Sequence, residues 1–241
     1  MKELMLNQKT GLKYDDIEPY IYNLNTYKEK FVVFPSSIYL TKFIESGYNV
    51  GIQNVAESNE KNQTGEITAN QAKSIGTKYV LIGHSERRAN QKEDSEVLTK
   101  KMNEALKAGF KVLYLIGESL VEYKLKNTNV VLNNELESVL SNITEDINET
   151  NFEVAYEPIW AIGSGMTPDK YEIEKVVKYI KDYFNNKQIE NIKVLYGGSV
   201  NDENISSLCE IDELDGFLVG GASNDYHKVT KMCEIIEKFD K

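Results

Sequence analysis

Short apolar, β-branched runs recur along the whole chain, at residues 4–6, 31–34, 50–52, 79–82, 112–116, 154–156, 194–196 and 217–219. Each is too short for a helix and lacks apolar–polar alternation. That is the pattern of strands buried on both faces of a parallel sheet. Amphipathic stretches lie between most of them. Residues 95–108 read SEVLTKKMNEALKA, with Val97, Leu98, Met102, Ala105 and Leu106 on one stripe. Thr167-Pro168 predicts a helix start, followed by Ile173, Val176, Val177 and Ile180 at helical spacing. Ser223 predicts the start of a last helix carrying Val229, Met232, Ile235 and Ile236. The polar stretch 124–134 reads as a loop or a helix entry rather than a domain boundary. Eight strands alternating with helices imply a parallel sheet with right-handed crossovers. The expected fold is α/β, a closed (β/α)8 barrel forming one domain over residues 1–241. The alternation alone leaves an open doubly wound sheet as its rival.

Chemistry-bearing residues gather at the C-terminal ends of these runs. Asn7 and Lys9 follow the first, Gln53 and Asn54 end the third, and His84 lies just past the fourth. Gly117-Glu118 follow the fifth, Glu157 the sixth, Gly197-Gly198-Ser199 the seventh and Gly220-Gly221 the eighth. In a closed sheet all of these converge on the rim where barrel enzymes carry their active sites. One glycine pair alone would read as a tight turn. Two pairs, after the seventh and eighth strands, point instead to a phosphate cradle of backbone N–H groups. Glu157 stands between an apolar strand and Pro-Ile-Trp, a setting that disfavours its charge and suits a general base; a buried ion pair is the plainer alternative. His84 directly follows a strand on the same rim, whereas His227 sits in a polar run and reads as exposed. Lys9, discounted by itself, would there stabilise developing negative charge. Glu86 reads either as part of the polar site or as one of a solvated charge cluster with Arg87 and Arg88. Gly163 and Gly165 mark a movable loop beyond Glu157. The set suits proton abstraction next to a carbonyl in a small phosphorylated substrate. It contains no metal-ligand cluster and no dinucleotide fingerprint, so neither a metal nor a cofactor is expected.

Composition narrows the picture further. Lys and Arg number 28 against 38 Asp and Glu, a formal charge of −10. Such a surface attracts neither nucleic acid nor anionic lipid, so any phosphate site must be built locally. No stretch approaches the roughly 18 apolar residues of a spanning helix, and the start carries no secretory signal pattern. Cys209 and Cys233 read as buried helical thiols in a reducing, cytoplasmic setting.

Several segments are similar to the triosephosphate isomerase family. They are Asn7-x-Lys9, Gly51-x-Gln53-Asn54-Val55, Thr64-Gly65-Glu66-Ile67, Ile82-Gly83-His84-Ser85-Glu86-Arg87-Arg88 and Gly117-Glu118. To these are added Ala155-Tyr156-Glu157-Pro158-Ile159-Trp160-Ala161-Ile162-Gly163, Tyr196-Gly197-Gly198-Ser199-Val200 and Val219-Gly220-Gly221-Ala222-Ser223. They run in family order from end to end. The resemblance implies interconversion of dihydroxyacetone phosphate and D-glyceraldehyde 3-phosphate. Glu157 would be the base, His84 the group that polarises the carbonyl, and Asn7 and Lys9 substrate ligands. Gly163, Ser199, Gly220 and Gly221 would hold the phosphate, with Glu86 in support. It also implies a homodimer through the long loop around Thr64. The chain departs from the family pattern at Gln8 and Gln63, where aromatic residues are usual, at Leu115 for a cysteine, and at Met166 for a lid lysine. The rival functions are another sugar-phosphate barrel enzyme, such as an aldolase or epimerase, and a catalytically dead barrel kept as a binding protein.

Overall fold

The computed structural model describes residues 2–239. Its strands are β1 (Glu3–Asn7), β2 (Val32–Phe34), β3 (Asn49–Ile52), β4 (Tyr79–Ile82), β5 (Lys111–Ile116), β6 (Phe152–Tyr156), β7 (Lys193–Tyr196) and β8 (Gly216–Val219). They pair in parallel in chain order, and β8 closes back onto β1 through Glu3↔Gly216 to Leu6↔Val219. The closed barrel is therefore the fold, and the open sheet is excluded.

Each strand sits on its apolar run, but most begin a residue or two earlier than those runs. The parallel ladder continues through Glu3, Lys111, Glu153 and Lys193, where apolarity has already ended. Inside the barrel, Met5, Phe34, Leu81, Leu113, Leu115, Ala155, Leu195 and Leu218 form one apolar cluster. Side chains alternate faces along a strand, so residues two positions earlier share its interior direction. Among those residues are Glu3, Lys111, Glu153 and Lys193, which close the barrel floor with Lys111–Glu153 and Lys193–Glu3 ion pairs. Gly216 makes room for this arrangement: a Cβ there would lie 2.8 Å from that of Glu3.

The outer faces of the strands meet the helices in a second, larger apolar layer. The helix Ser95–Lys107 forms as its stripe predicts, with Asp94 accepting the Val97 N–H at 3.0 Å. Two helix starts differ from expectation. The helix Lys170–Asn186 begins after Thr167-Pro168, because Asp169 accepts the Glu172 N–H at 2.8 Å and Glu172 accepts the Asp169 N–H in return. That reciprocal box outcompetes a proline start. Ser223 does not open the last helix, Tyr226–Phe239. It lies buried in the 3₁₀ turn Gly221–Asn224, where its hydroxyl donates to the Asn7 carbonyl at 3.0 Å. The stretch 124–134 is mostly helical, shared between Leu120–Lys124 and Thr128–Leu140. Cys209 and Cys233 are both buried thiols on helices. No helix among the described residues is long and apolar enough to cross a membrane.

Candidate active site

The C-terminal rim holds a cavity of about 550 Å³, lined by residues from the loops after β1, β4, β6, β7 and β8. It brings together Asn7, Lys9, His84, Glu157, Gly163, Ser199, Gly220 and Gly221. Glu86 is not on that wall; it lines an adjoining rim cavity of about 430 Å³ and reaches the site by pairing with the Lys9 ammonium.

Glu157 is seated by backbone before side chains act. Its N–H continues the ladder to the Ile116 carbonyl at 2.7 Å. The crossing of β5 and β6 is so close there that a Cβ on Gly117 would lie 1.9 Å from the Glu157 carbonyl oxygen. The carboxylate is 5% exposed. Burial raises its pKa above the ordinary carboxylate range, against the opposing effects of the Ser85 N–H, the Lys9 ammonium and the Ser85 hydroxyl. Ser85 holds Oε2 through its hydroxyl at 3.2 Å and its N–H at 3.4 Å.

His84 caps the helix Ser85–Asn90 with its own ring: Nδ1 accepts the Glu86 N–H at 3.2 Å. A ring nitrogen that accepts a hydrogen bond carries no proton, so this pattern assigns a neutral imidazole with its proton on Nε2. Nε2 lies 3.3 Å from Glu157 Oε1, yet it is buried without a hydrogen-bond partner because its N–H is not aimed at that oxygen. Buried polar atoms are nearly always satisfied, so an orphan donor facing a cavity is the mark of a ligand position.

Lys9 occupies the left-handed region at φ 51°, uncommon for a residue with a side chain. Two contacts hold it there. The Asn7 side chain accepts the Lys9 N–H at 3.1 Å, and Gln53 Nε2 donates to the Lys9 carbonyl at 2.8 Å while also reaching the Phe34 carbonyl at 2.9 Å. Burial would raise the Glu86 carboxyl, but the Lys9 ammonium paired with it holds it below the ordinary carboxylate range.

The glycine pairs do two different things. Gly198 is required by packing, since a Cβ there would sit 2.1 Å from the Tyr196 hydroxyl. At Gly221 a Cβ would meet nothing within 4 Å, and at Gly220 only the Lys9 side chain at 3.6 Å. That open space beside bare backbone is room for an anion. Ser199 donates its hydroxyl to the Ala161 carbonyl at 2.6 Å, tying the β7 loop to the segment after Glu157.

That segment, 158–168, starts with the 3₁₀ turn Ile159–Ala161 and has an exposed tip, where Gly163 and Gly165 take φ 63° and 74°. Trp160 anchors its start: Nε1 donates to Glu118 at 3.0 Å, and the ring stacks on Tyr123 with centroids 4.4 Å apart. Glu118 is fully buried and also accepts the Tyr156 hydroxyl at 3.1 Å.

Ser85, Gln53 and Gly117 are the contributors whose roles the sequence does not reveal. Each acts across strands, on groups up to 72 positions away in the chain, and no local pattern reports that.

A closed parallel barrel with a buried carboxylate, an orphan imidazole N–H and an ammonium around one rim cavity defines a (β/α)8-barrel enzyme of the acid–base kind. Comparison with known proteins narrows the class. The family model described as triosephosphate isomerase matches residues 3–237. The chain is 33% identical over 216 residues to the triosephosphate isomerase of Pseudoalteromonas translucida, covering 88% of this chain and 86% of that one. It is 34% identical over 223 residues to that of Francisella tularensis subsp. holarctica, with 90% and 87% covered. To that of Mesomycoplasma hyopneumoniae it is 38% identical over 205 residues, with 84% and 81% covered. The chain belongs to the triosephosphate isomerase family.

Proposed function

We propose that this single-barrel chain interconverts dihydroxyacetone phosphate and D-glyceraldehyde 3-phosphate by general-base proton transfer through an enediolate. The observation that carries the reading is the buried Glu157 carboxylate set beside the unpartnered Nε2 of His84, 3.3 Å away, on the wall of the rim cavity. Glu157 removes the proton from the carbon next to the carbonyl and returns it to the neighbouring carbon. His84 donates from Nε2 to the carbonyl oxygen, which becomes the enediolate oxygen, and shuttles protons between the two oxygens. A neutral imidazole suits this, being the tuning for which triosephosphate isomerases are a standing example. Lys9 and Asn7 bind substrate, and the Lys9 ammonium stabilises the enediolate charge. Because Lys9 starts out paired with Glu86, substrate binding involves exchange of that partner, with Glu86 as a supporting acid. Gly163, Ser199, Gly220 and Gly221 hold the phosphate.

The working unit we propose is a cytoplasmic homodimer joined through the loop around Thr64. Thr64, Gly65 and Glu66 are exposed in the loop 55–68, and Gly65 and Glu66 border the adjoining cavity that reaches Lys9. Gln8 is 1% exposed, buried between the barrel and its helices beside Tyr20, so it offers almost no surface for such a contact. Gln63 gives its amide to the Ser58 and Glu60 carbonyls within the loop.

A coupled assay of the purified protein with dihydroxyacetone phosphate tests the function. Formation of glyceraldehyde 3-phosphate at enzymatic rates is expected. A folded protein that binds the substrate without turning it over would instead be a repurposed barrel.

A further inference from the structure

A phosphate dianion must approach this cavity against a molecule of net charge −10. The charged residues on the cavity wall are Lys9, Lys228, Glu157 and Asp225. Lys9 is already paired with Glu86, an acid contributed from beside the wall. Asp225 is fixed in place, its Oδ1 accepting the His227 N–H at 2.9 Å at the start of the helix Tyr226–Phe239. That leaves a carboxylate four residues beyond Gly221, at the end where the phosphate would rest. The segment 158–168 offers no compensation, because it contains no basic residue and has Met166 where the family pattern carries lysine.

Lys228 lies in the first turn of that helix, exposed and on the cavity wall. Among the described residues it makes no ion pair, whereas Lys231 of the same helix is held by Asp202 at 3.1 Å. A lysine in a first helical turn opposes the helix dipole, so by local rules it is the wrong charge in that place. It is the right charge for a ligand anion arriving at the same N-terminus.

We propose that Lys228 is a further substrate-recognition residue, whose free ammonium draws the substrate phosphate to the Gly220-Gly221 end of the cavity. The proposal rests on the function proposed above. It places Lys228 in capture rather than chemistry, since Glu157 and His84 are the groups poised at the reacting carbons.

Steady-state kinetics of full-length Lys228→Gln, Lys228→Glu and Lys228→Arg with glyceraldehyde 3-phosphate test it, with Lys178→Gln, an exposed lysine on the outer helix Lys170–Asn186, as the control. One lost charge facing a dianion should lower kcat/KM by about three- to tenfold in the Gln variant, and further in the Glu variant. kcat should fall by less than about twofold, and the Arg variant should stay near wild type. The fall of kcat/KM with added salt should flatten in the Gln variant, and competitive inhibition by inorganic phosphate should weaken in parallel. Isomerisation of glyceraldehyde, which has no phosphate, should not respond. Unchanged phosphate inhibition in an active Gln variant, or an equal loss with glyceraldehyde, overturns the role of Lys228 alone. A wild type that turns over neither triose phosphate refutes the proposed function, and this inference with it.

Discussion

At Glu157 a carboxylate is both buried and set 3.3 Å from the unpartnered Nε2 of a neutral imidazole, and its chemistry and its burial make separate predictions. Glu157→Gln keeps size and hydrogen-bonding shape while removing basicity. Turnover should fall by at least about 10²–10⁴-fold, the usual range of a general base. Glu157→Asp retracts the carboxylate by roughly 1 Å, enough to cost on the order of a hundredfold. Inhibition by inorganic phosphate should change far less, because the proposed phosphate end lies at the backbone after β7 and β8, away from the carboxylate. His84→Gln should also lose turnover, and the exposed His227→Gln should not. Wild-type exchange of the carbon-bound proton with deuterated solvent in Glu157→Gln would overturn the mechanism. The pH profile gives the other test. Burial raises the pKa of Glu157, and the base acts deprotonated, so kcat/KM should fall with decreasing pH at a midpoint above the ordinary carboxylate range. Ser85→Ala removes a hydrogen bond that favours the anion, so its midpoint should move higher still; a downward move would contradict the assignment. Glu157 and His84 stood out in the sequence because each is a chemically unusual residue just after an apolar run; Lys9, an ordinary lysine by itself, gained its reading only from sharing their rim. Ser85 did not stand out, and Gln53 was placed on the rim without a role, since a serine opening a helix and a glutamine ending a strand are ordinary until the fold sets them against Glu157 and Lys9.

The elements were legible for a simple reason: a strand buried on both faces must be apolar throughout, and all eight runs were. The errors fell at edges. The 158–168 segment ends at the Asp169–Glu172 box rather than at Pro168, and this has a mechanical consequence. Glu172 also accepts the Tyr123 hydroxyl at 2.8 Å, and Tyr123 stacks on Trp160. The start of the segment and the helix after it are thus bound to one aromatic pair, while the exposed glycine tip lies outside these contacts. A lid of this kind excludes water and protects a reactive enediolate. Deleting 162–166 should leave the barrel folded by circular dichroism, slow isomerisation, and raise the yield of methylglyoxal as exposed enediolate loses phosphate. Normal isomerisation without extra methylglyoxal would show that this loop is not the lid.

Two properties belong to the whole molecule. One is assembly: light scattering at micromolar concentration should report about twice the 27.5 kDa chain mass, and a fully active monomer would refute the dimer. The other is the charged barrel floor, invisible in the sequence because Glu3, Lys111, Glu153 and Lys193 look there like solvated strand ends. Closure of the sheet buries Glu153 completely. Its pKa rises to about 7 from 4.5, first through burial and then through the nearby Glu3 carboxylate, with Lys111 opposing. Tyr79 and Lys193 complete its charged and titratable neighbourhood. Between pH 4.5 and about 7 the folded barrel keeps a proton that the unfolded chain has released. The contribution of Glu153 to stability must therefore decrease as pH rises through that window and reach its least favourable value above it. Glu157 shifts in the same direction, so the informative quantity is the difference between wild type and Glu153→Gln. Urea unfolding across the window should show wild type losing stability relative to the variant as pH rises, by the neutral-versus-charged difference at this one site. Parallel stability curves would mean that Glu153 titrates like an exposed carboxylate, and that the Lys111 pair fully compensates its burial.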